Sequence, residues 1–512
     1  MPTTRRDLLL RASIAAGTAL LPIYGQRLLA QPRFAAHPFT LGIASGDPEA
    51  DGVVLWTRLA PSPLDDHGGM PAEAVAVGWE VAEDEAFSRV AGQGTAWALP
   101  QAAHSVHVEV QGLRPDRVYY YRFHTAGETS GTGRTRTAPA LDADVQALRY
   151  AFTACQHYET GYYGAYRQLV ADDPALVLFL GDYIYERPGR DRGPRRHPDE
   201  HAANLASYRR RHALYKTDPD LQAAHAAAPW LTIWDDHEVE NNYSGDVSQD
   251  GGDSPSFLVR RAAAYQAYYE HMPLRRRSIP VGPQMQLHRS LVWGNLARFQ
   301  MLDARQYRDG RPCPDMSPDR KTVSGCAERL DPSRSMLGSE QERWLFGELA
   351  GSNARWNVIG QQFAMAESSQ VDPQTGDPRF GVDGWDGYPA ARDRILAFLR
   401  DARISNPVVI GGNSHAFIAS ELSLHPEGPV IAPAFVGGSL SSTSGSASDD
   451  LLRKAPQMRF AETQRHGYSI VDVTPKSSML TMRAAADATD PRTTTSTLRT
   501  FAIESGVPGF RD

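Results

Sequence analysis

Four short apolar runs, each stopping abruptly at a residue able to ligate a metal, constrain this chain of 512 residues more than any other feature. The first is Tyr150-Ala-Phe-Thr-Ala-Cys155 and the second Leu176-Val-Leu-Phe-Leu-Gly181-Asp182-Tyr183-Ile184-Tyr185. Runs of this kind, rich in β-formers, predict buried parallel strands, and ligands in open α/β sheets gather at strand carboxyl ends. Cys155 and Asp182 are therefore expected on neighbouring strand tips. Tyr185 follows three positions later, so one turn of loop can aim a carboxylate and a phenolate at the same ion. Taken singly, Cys155 also reads as a core cysteine and Asp182 as a strand-ending turn.

The third run, Leu231-Thr-Ile-Trp234, continues into Asp235-Asp236-His237-Glu238-Val239-Glu240-Asn241-Asn242 with no Lys or Arg among them. Acids crowded this way repel one another, and a bound cation is the usual resolution. The fourth run, Pro407-Val-Val-Ile410-Gly411-Gly412, ends in an oxygen donor at Asn413 and a nitrogen donor at His415.

In chain order these are Cys155, Gly181-Asp182-x-x-Tyr185, Trp234-Asp-Asp-His237-Glu, Leu302-Asp-x-Arg305-Gln-Tyr-Arg308, Trp385-Asp-Gly-Tyr-Pro389 and Gly412-x-Ser-His415-Ala-Phe417. The set resembles the PhoD-like alkaline phosphatases, members of the metallophosphoesterase superfamily related to purple acid phosphatases, from the amino-terminal export signal to about Thr474. The resemblance implies an α/β metallophosphoesterase core of two packed mixed sheets flanked by helices, preceded by a small antiparallel β-sandwich. It divides the chain into a twin-arginine signal peptide (1–31), a fibronectin-like sandwich (36–141), a catalytic domain (146–495) and a carboxyl-terminal tail (496–512).

The implied activity is metal-dependent hydrolysis of phosphate monoesters or diesters for phosphate scavenging, with a phospholipase-D-like action on phospholipid head groups as the alternative. An inactive, metal-stabilised binding scaffold is the reading from another class. The implied cofactors are Fe3+ and Ca2+. Asp182 would bridge the metals, with Cys155, Tyr185 and His415 completing a site for ferric iron, which prefers anionic donors. Asp236, Asn413 and Asp235 would offer oxygen to calcium, which tolerates looser geometry. His237 would contact the phosphoryl group or protonate the leaving oxygen, with Asp235 beside it as a second catalytic candidate. Asn413 stands where many family members carry Asp, which keeps the oxygen donor and removes a charge. Arg305 and Arg308 read either as phosphate contacts or as an internal salt-bridged turn.

The formal net charge of -7 gives no footprint for nucleic-acid binding, so an anionic substrate must be attracted locally. The three cysteines exclude a disulfide scaffold; Cys313 and Cys326 either close a small disulfide in an oxidising compartment or remain surface thiols. Thr3-Thr4-Arg5-Arg6-Asp7-Leu8 followed by a short apolar stretch reads as a twin-arginine signal. The expectation is export by that machinery to the periplasm or beyond, with no permanent membrane span; oligomeric state is left open. Alternating runs between Gly, Pro and Asp punctuation from Phe39 to Ala140 predict the antiparallel sandwich. His201–Lys216 is a basic helical stretch that faces either solvent or a phosphate, and the Ser- and Gly-rich residues 438–449 read as a mobile loop.

Overall fold

The computed structural model describes residues 33–189, 193–198, 201–249, 255–316, 322–371, 376–443 and 455–511. Residues 1–31, expected to be a signal peptide, lie outside the described residues, as do residues 444–449 of the Ser- and Gly-rich stretch. Among the described residues no helix is long and apolar enough to cross a membrane.

Two mixed sheets face each other. The first has nine strands, running in space Thr495–Glu504, Ser477–Ala485, Gly467–Val473, Leu148–Thr153, Leu176–Leu180, Pro229–Ile233, Ile43–Glu49, Gly52–Arg58 and Ser105–Val110. The second has seven: Arg289–Trp293, Ala297–Met301, Trp356–Gly360, Pro407–Gly411, Ala432–Gly437, Phe417–Leu422 and Met458–Glu462. The apolar runs supply the parallel centre of each, Leu178 lying between Phe152 and Leu231 in register, and Val358 beside Val408. Such strands are buried on both faces because helices or a second sheet cover each side. One core unites Phe152, Leu178 and Ile233 with Phe299, Val358, Ile410 and Phe435 between the sheets. Ile359 and Val409 point the other way, onto Leu345 and Leu349 of the helix Gly338–Ala350 and Ile395 and Leu399 of the helix Pro389–Asp401.

The amino-terminal strands divide between two sheets. Val75–Ala82, Val90–Ala98 and Val118–Thr125 form a sheet of their own, with short partners. Its Val77, Val81, Tyr121 and Phe123 pack on Val53, Leu55, Val106 and Val108 of the nine-stranded sheet. Ile43–Glu49 pairs in parallel with Pro229–Ile233, so hydrogen bonding runs unbroken from this region into the catalytic core. Residues 496–512 do not form a tail. They carry most of the edge strand Thr495–Glu504, whose Phe501 and Ile503 are buried in alternation with the exposed Thr500 and Ala502, the period of a half-buried strand.

The basic stretch after His201 also departs from expectation. The helix Leu205–Lys216 is capped by Asn204, which accepts from the Ser207 amide at 3.0 Å, and it buries Tyr208, Arg211, His212, Tyr215 and Lys216. Arg209 ion-pairs with Glu270 at 2.5 Å and Arg210 with Asp66 at 3.1 Å. The helix is wedged between other elements, so its cations serve packing rather than a solvent face.

Candidate metal centre

The four strand tips converge as the sequence predicts. Cys155, Asp182, Asn413 and His415 all hold left-handed backbone, with φ of 57°, 58°, 58° and 47°. Such residues are uncommon outside glycine and persist only where surrounding structure over-determines them. The tips approach so closely that a Cβ on Gly181 would lie 2.5 Å from the Asp235 Cβ, and one on Gly412 2.6 Å from the Ala154 Cβ. Glu238, buried, fastens two tips together: its carboxylate accepts from the amides of Asp235 at 2.9 Å, Asp182 at 3.2 Å and Tyr183 at 2.5 Å. Burial, reinforced by Asp182, pushes the Glu238 carboxyl up to about 8.

Two donor groups result. Ligand atoms of Cys155, Asp182 and His415 lie within 4.8 Å of one another, and so do those of Asp182, Asp236 and His237. Asp182 belongs to both. Tyr185 Oη donates to Asp182 Oδ2 at 2.9 Å and lies 3.0 Å from His415 Nε2, so the phenol joins the first group. The Asn413 backbone N–H is directed at the Cys155 sulfur, and the residue is half-buried. Burial, then the charges of Asp182 and Asp235, push the Cys155 thiol well up; burial, Asp182 and Cys155 do the same to Tyr185.

These residues fit a bound cation. Asp182 Oδ1 and Asp235 Oδ2 are buried with no hydrogen-bond partner, a costly arrangement for carboxylate oxygens. Thiol, phenol, carboxylates and imidazole all turn toward the same space. A positive ion there would relieve the repulsion and favour the deprotonated thiol and phenol.

Arg305 and Arg308 take the internal salt-bridged alternative. Arg305 Nε donates to Asp235 Oδ1 at 2.5 Å, and its Nη atoms donate to both oxygens of Asp383 at 2.8 and 3.0 Å. Arg308 Nη2 donates to the same carboxylate at 2.7 Å and to the Tyr243 carbonyl at 2.7 Å. Asp235 thus keeps one free oxygen. Burial raises its pKa well above the usual range despite Arg305, whereas at Asp236 the charges of Arg305 and His237 overcome burial and lower it.

His237 reaches the second donor group while its Nδ1 is held 2.7 Å from Glu186 Oε2. Burial disfavours the charged ring, yet Asp236, Glu186 and Asp182 overcome that and lift its pKa well above the ordinary value. Cys313 and Cys326 are joined in a disulfide that packs with Val323 and Val382, and neither belongs to a donor group.

Sequence reasoning missed four contributors. Asp383 sits two residues before Trp385 and carries the arginine network; its Gly-x-Asp-Gly setting is the one local hint. Asn242 donates its backbone N–H to Asp236 Oδ2 at 2.6 Å. Glu186 follows Tyr185 directly, and only its contact with His237 gives it meaning. Ser442, expected in a mobile loop, is buried, its Oγ lying 2.7 Å from Tyr185 Oη and 2.8 Å from the Cys155 carbonyl oxygen. The motif Trp385-Asp386 is structural: Trp385 Nε1 donates to Gln361 Oε1 at 3.1 Å, and Asp386 faces Arg392 at 3.4 Å.

A sequence model described as PhoD-like phosphatase matches residues 150–482, and one described as PhoD-like phosphatase, N-terminal domain, matches residues 26–139. The chain is 45% identical over 495 residues to alkaline phosphatase D of Bacillus subtilis (strain 168), across 94% of this chain and 83% of that protein. A solved structure described as that of PhoD aligns with a TM-score of 0.88 at 44% identity, across 94% of this chain and 93% of that one.

Proposed function

Since this chain belongs to the PhoD-like phosphatase family and is a phosphoric ester hydrolase, we propose that it is an exported, iron- and calcium-dependent alkaline phosphatase acting on small phosphate monoesters and diesters. The observation that carries this reading is the sharing of Asp182 between two donor groups of different character. Cys155, Tyr185 and His415 would supply the soft and phenolic donors suited to Fe3+, with Asp182 available to both groups. Asp236, Asn413 and the free oxygen of Asp235 supply oxygen for Ca2+. When bound, the cations neutralise the ester and lower the pKa of a water.

The protein's own part is orientation and proton supply. With Nδ1 held by Glu186, His237 presents Nε2 to the phosphoryl or leaving oxygen, and the surrounding carboxylates favour the protonated ring that can donate from it. Arg305 steadies Asp235 and does not contact substrate in this scheme. The two family matches, 26–139 and 150–482, support an amino-terminal region followed by a catalytic region, and strand pairing joins the two in one sheet. Arg5-Arg6 addresses the chain to the twin-arginine pathway, and a Lys-Lys replacement is expected to hold activity inside the cell.

The test combines metal analysis, visible absorption and rates on a monoester, a diester and a phospholipid. The expected result is a coloured protein with bound iron and calcium, its band bleached or shifted by Cys155→Ser or Tyr185→Phe, and little turnover of phospholipid. A colourless, iron-free and fully active enzyme overturns the ferric assignment. Preference for the phospholipid would replace the substrate class.

A further inference from the structure

A cavity of about 370 Å³ lies where the strands Trp356–Gly360 and Pro407–Gly411 begin, a strand's length from the tips that carry the metal donors. Its volume is within the range of small-molecule sites, ~300–1,000 Å³. Its wall is apolar, with Trp356, Leu399, Ile431 and Ile503 at 9% exposure or less. The opposite margin carries Arg355, Arg400 and Arg403, and no Asp or Glu lines the cavity among the described residues. Arg355 and Arg403 are exposed, and neither makes a side-chain hydrogen bond or ion pair with another described residue. Arg400 meets only Asp401, in a pair whose side chains are 50% and 65% exposed, which holds it weakly.

The groove is built rather than incidental. The Asn406 amide donates to the Arg355 carbonyl at 2.7 Å and accepts from the Gly506 amide at 2.7 Å, and it lies 3.1 Å from Ser505 Oγ. One side chain therefore fixes the turn after the last edge strand against the two strand starts. The result is a preformed apolar slot bordered on one side by unneutralised guanidinium groups, in a protein whose overall charge is negative.

We infer that this groove binds a free, single-chain anionic amphiphile, its alkyl chain along Trp356, Leu399 and Ile503 and its head group at Arg355 and Arg403. Guanidinium groups match a carboxylate, sulfate or phosphate head equally, because each offers paired oxygens to a planar fork. An occupant here leaves the metal centre open, since the two sites lie at opposite ends of the same strands.

Calorimetric titration of the intact protein with octanoate, decanoate and dodecanoate below their micellar concentrations tests the assignment. Affinity is expected to rise about fourfold per methylene until the groove is full. Decanol should bind about tenfold more weakly than decanoate, and Arg355→Glu with Arg403→Glu should remove that difference while leaving decanol binding and phosphatase activity unchanged. Millimolar inorganic phosphate should not compete. Competition by phosphate, insensitivity to the two substitutions, or affinity independent of chain length overturns the proposal. So does binding to phosphatidylglycerol vesicles without binding to monomeric decanoate, which would make this face a membrane dock. Self-association through this face, unaffected by decanoate, would assign it to a second copy instead.

Discussion

The helix Leu205–Lys216 serves two buried clusters of ionisable groups on adjacent stripes. Arg211 and Tyr215 reach the loop of Tyr185, Arg211 Nη1 donating to its carbonyl and Tyr215 Oη accepting from its amide at 3.1 Å. One position further round, His212 and Lys216 enter a base-rich cluster with Arg58, His271 and His225. Both clusters are buried and both shift pKa values, yet they have opposite logic. In the acid cluster the orphaned atoms are carboxylate oxygens converging on one space. In the basic cluster His212 stacks on His271 at 4.9 Å, and its two ring nitrogens have no partner. Arg58 Nη1 lies 2.8 Å from His271 Nε2, and a guanidinium can only donate, so that nitrogen is an acceptor. His271 is therefore neutral, with its Nδ1–H given to the Ala267 carbonyl at 2.6 Å. Lys216 rests over the Trp56 ring at 4.3 Å. The difference teaches that burial and a perturbed pKa do not by themselves identify a functional site. The acid cluster is marked by anionic atoms left unsatisfied at strand tips, a state that a cation completes; the unpaired nitrogens of the basic cluster belong to rings that burial keeps neutral, so they call for no counter-ion.

The strongest way to break this comparison is to delete the shared ligand. Asp182→Ala is expected to cut kcat/KM by roughly 10³-fold or more and to lower metal content, whereas His212→Phe should stay within about twofold of the parent. Equal losses would mean the two clusters are not functionally distinct. Next in size is Arg305→Ala, which leaves Asp235 without its buried partner and Asp383 with Arg308 alone. Chemical denaturation of the metal-free protein should show a loss of ~3–5 kcal/mol, and a change below 1 kcal/mol would remove Arg305 from the framework of the site.

Smaller and opposite in sign is the effect of Lys216→Met. Burial depresses the Lys216 pKa from 10.5 to about 7, so between those values the unfolded chain binds the extra proton and stability rises with pH. The penalty is fully present below pH 7 and disappears above 10.5. Allowing for the lost contact with Trp56, the substitution should stabilise by roughly 2–4 kcal/mol at pH 7, with the gain shrinking toward pH 10.5. A gain that does not change with pH would show that Lys216 is charged in the fold. Last, Cys313→Ser should leave the visible band and turnover unchanged, because neither disulfide cysteine belongs to a donor group.

The acid cluster was largely legible in the sequence because its residues end apolar runs. A strand that stops at Asp182 or at Asn413 announces both its burial and where its tip must point. The basic cluster was not. His212 and Lys216 lie in a stretch that reads as a solvent-facing cation row, and only the packing of Trp56 and His271 from distant segments puts them inside. The same limit hid Asp383, Glu186 and Ser442, which act through partners far away in sequence. The edge strand after Thr495 went unread because its Thr- and Ser-rich exposed face masks the alternation of Phe501 and Ile503.

The parallel pairing of Ser45 with Pro229 has a consequence for how the molecule is made. The first described strand emerges from the ribosome long before its partner and must wait, its hydrogen-bonding edge unclaimed, until the segment around Trp230 exists. Closing so long a loop is slow, and chains rich in such contacts fold late and expose sheet edges meanwhile. The amino-terminal region is therefore not an independent module that can fold first and stay out of the way. A route that threads an unfolded chain across a membrane would strand that edge on the far side. Export of the folded chain, as proposed above, would give the edge its partner before transport.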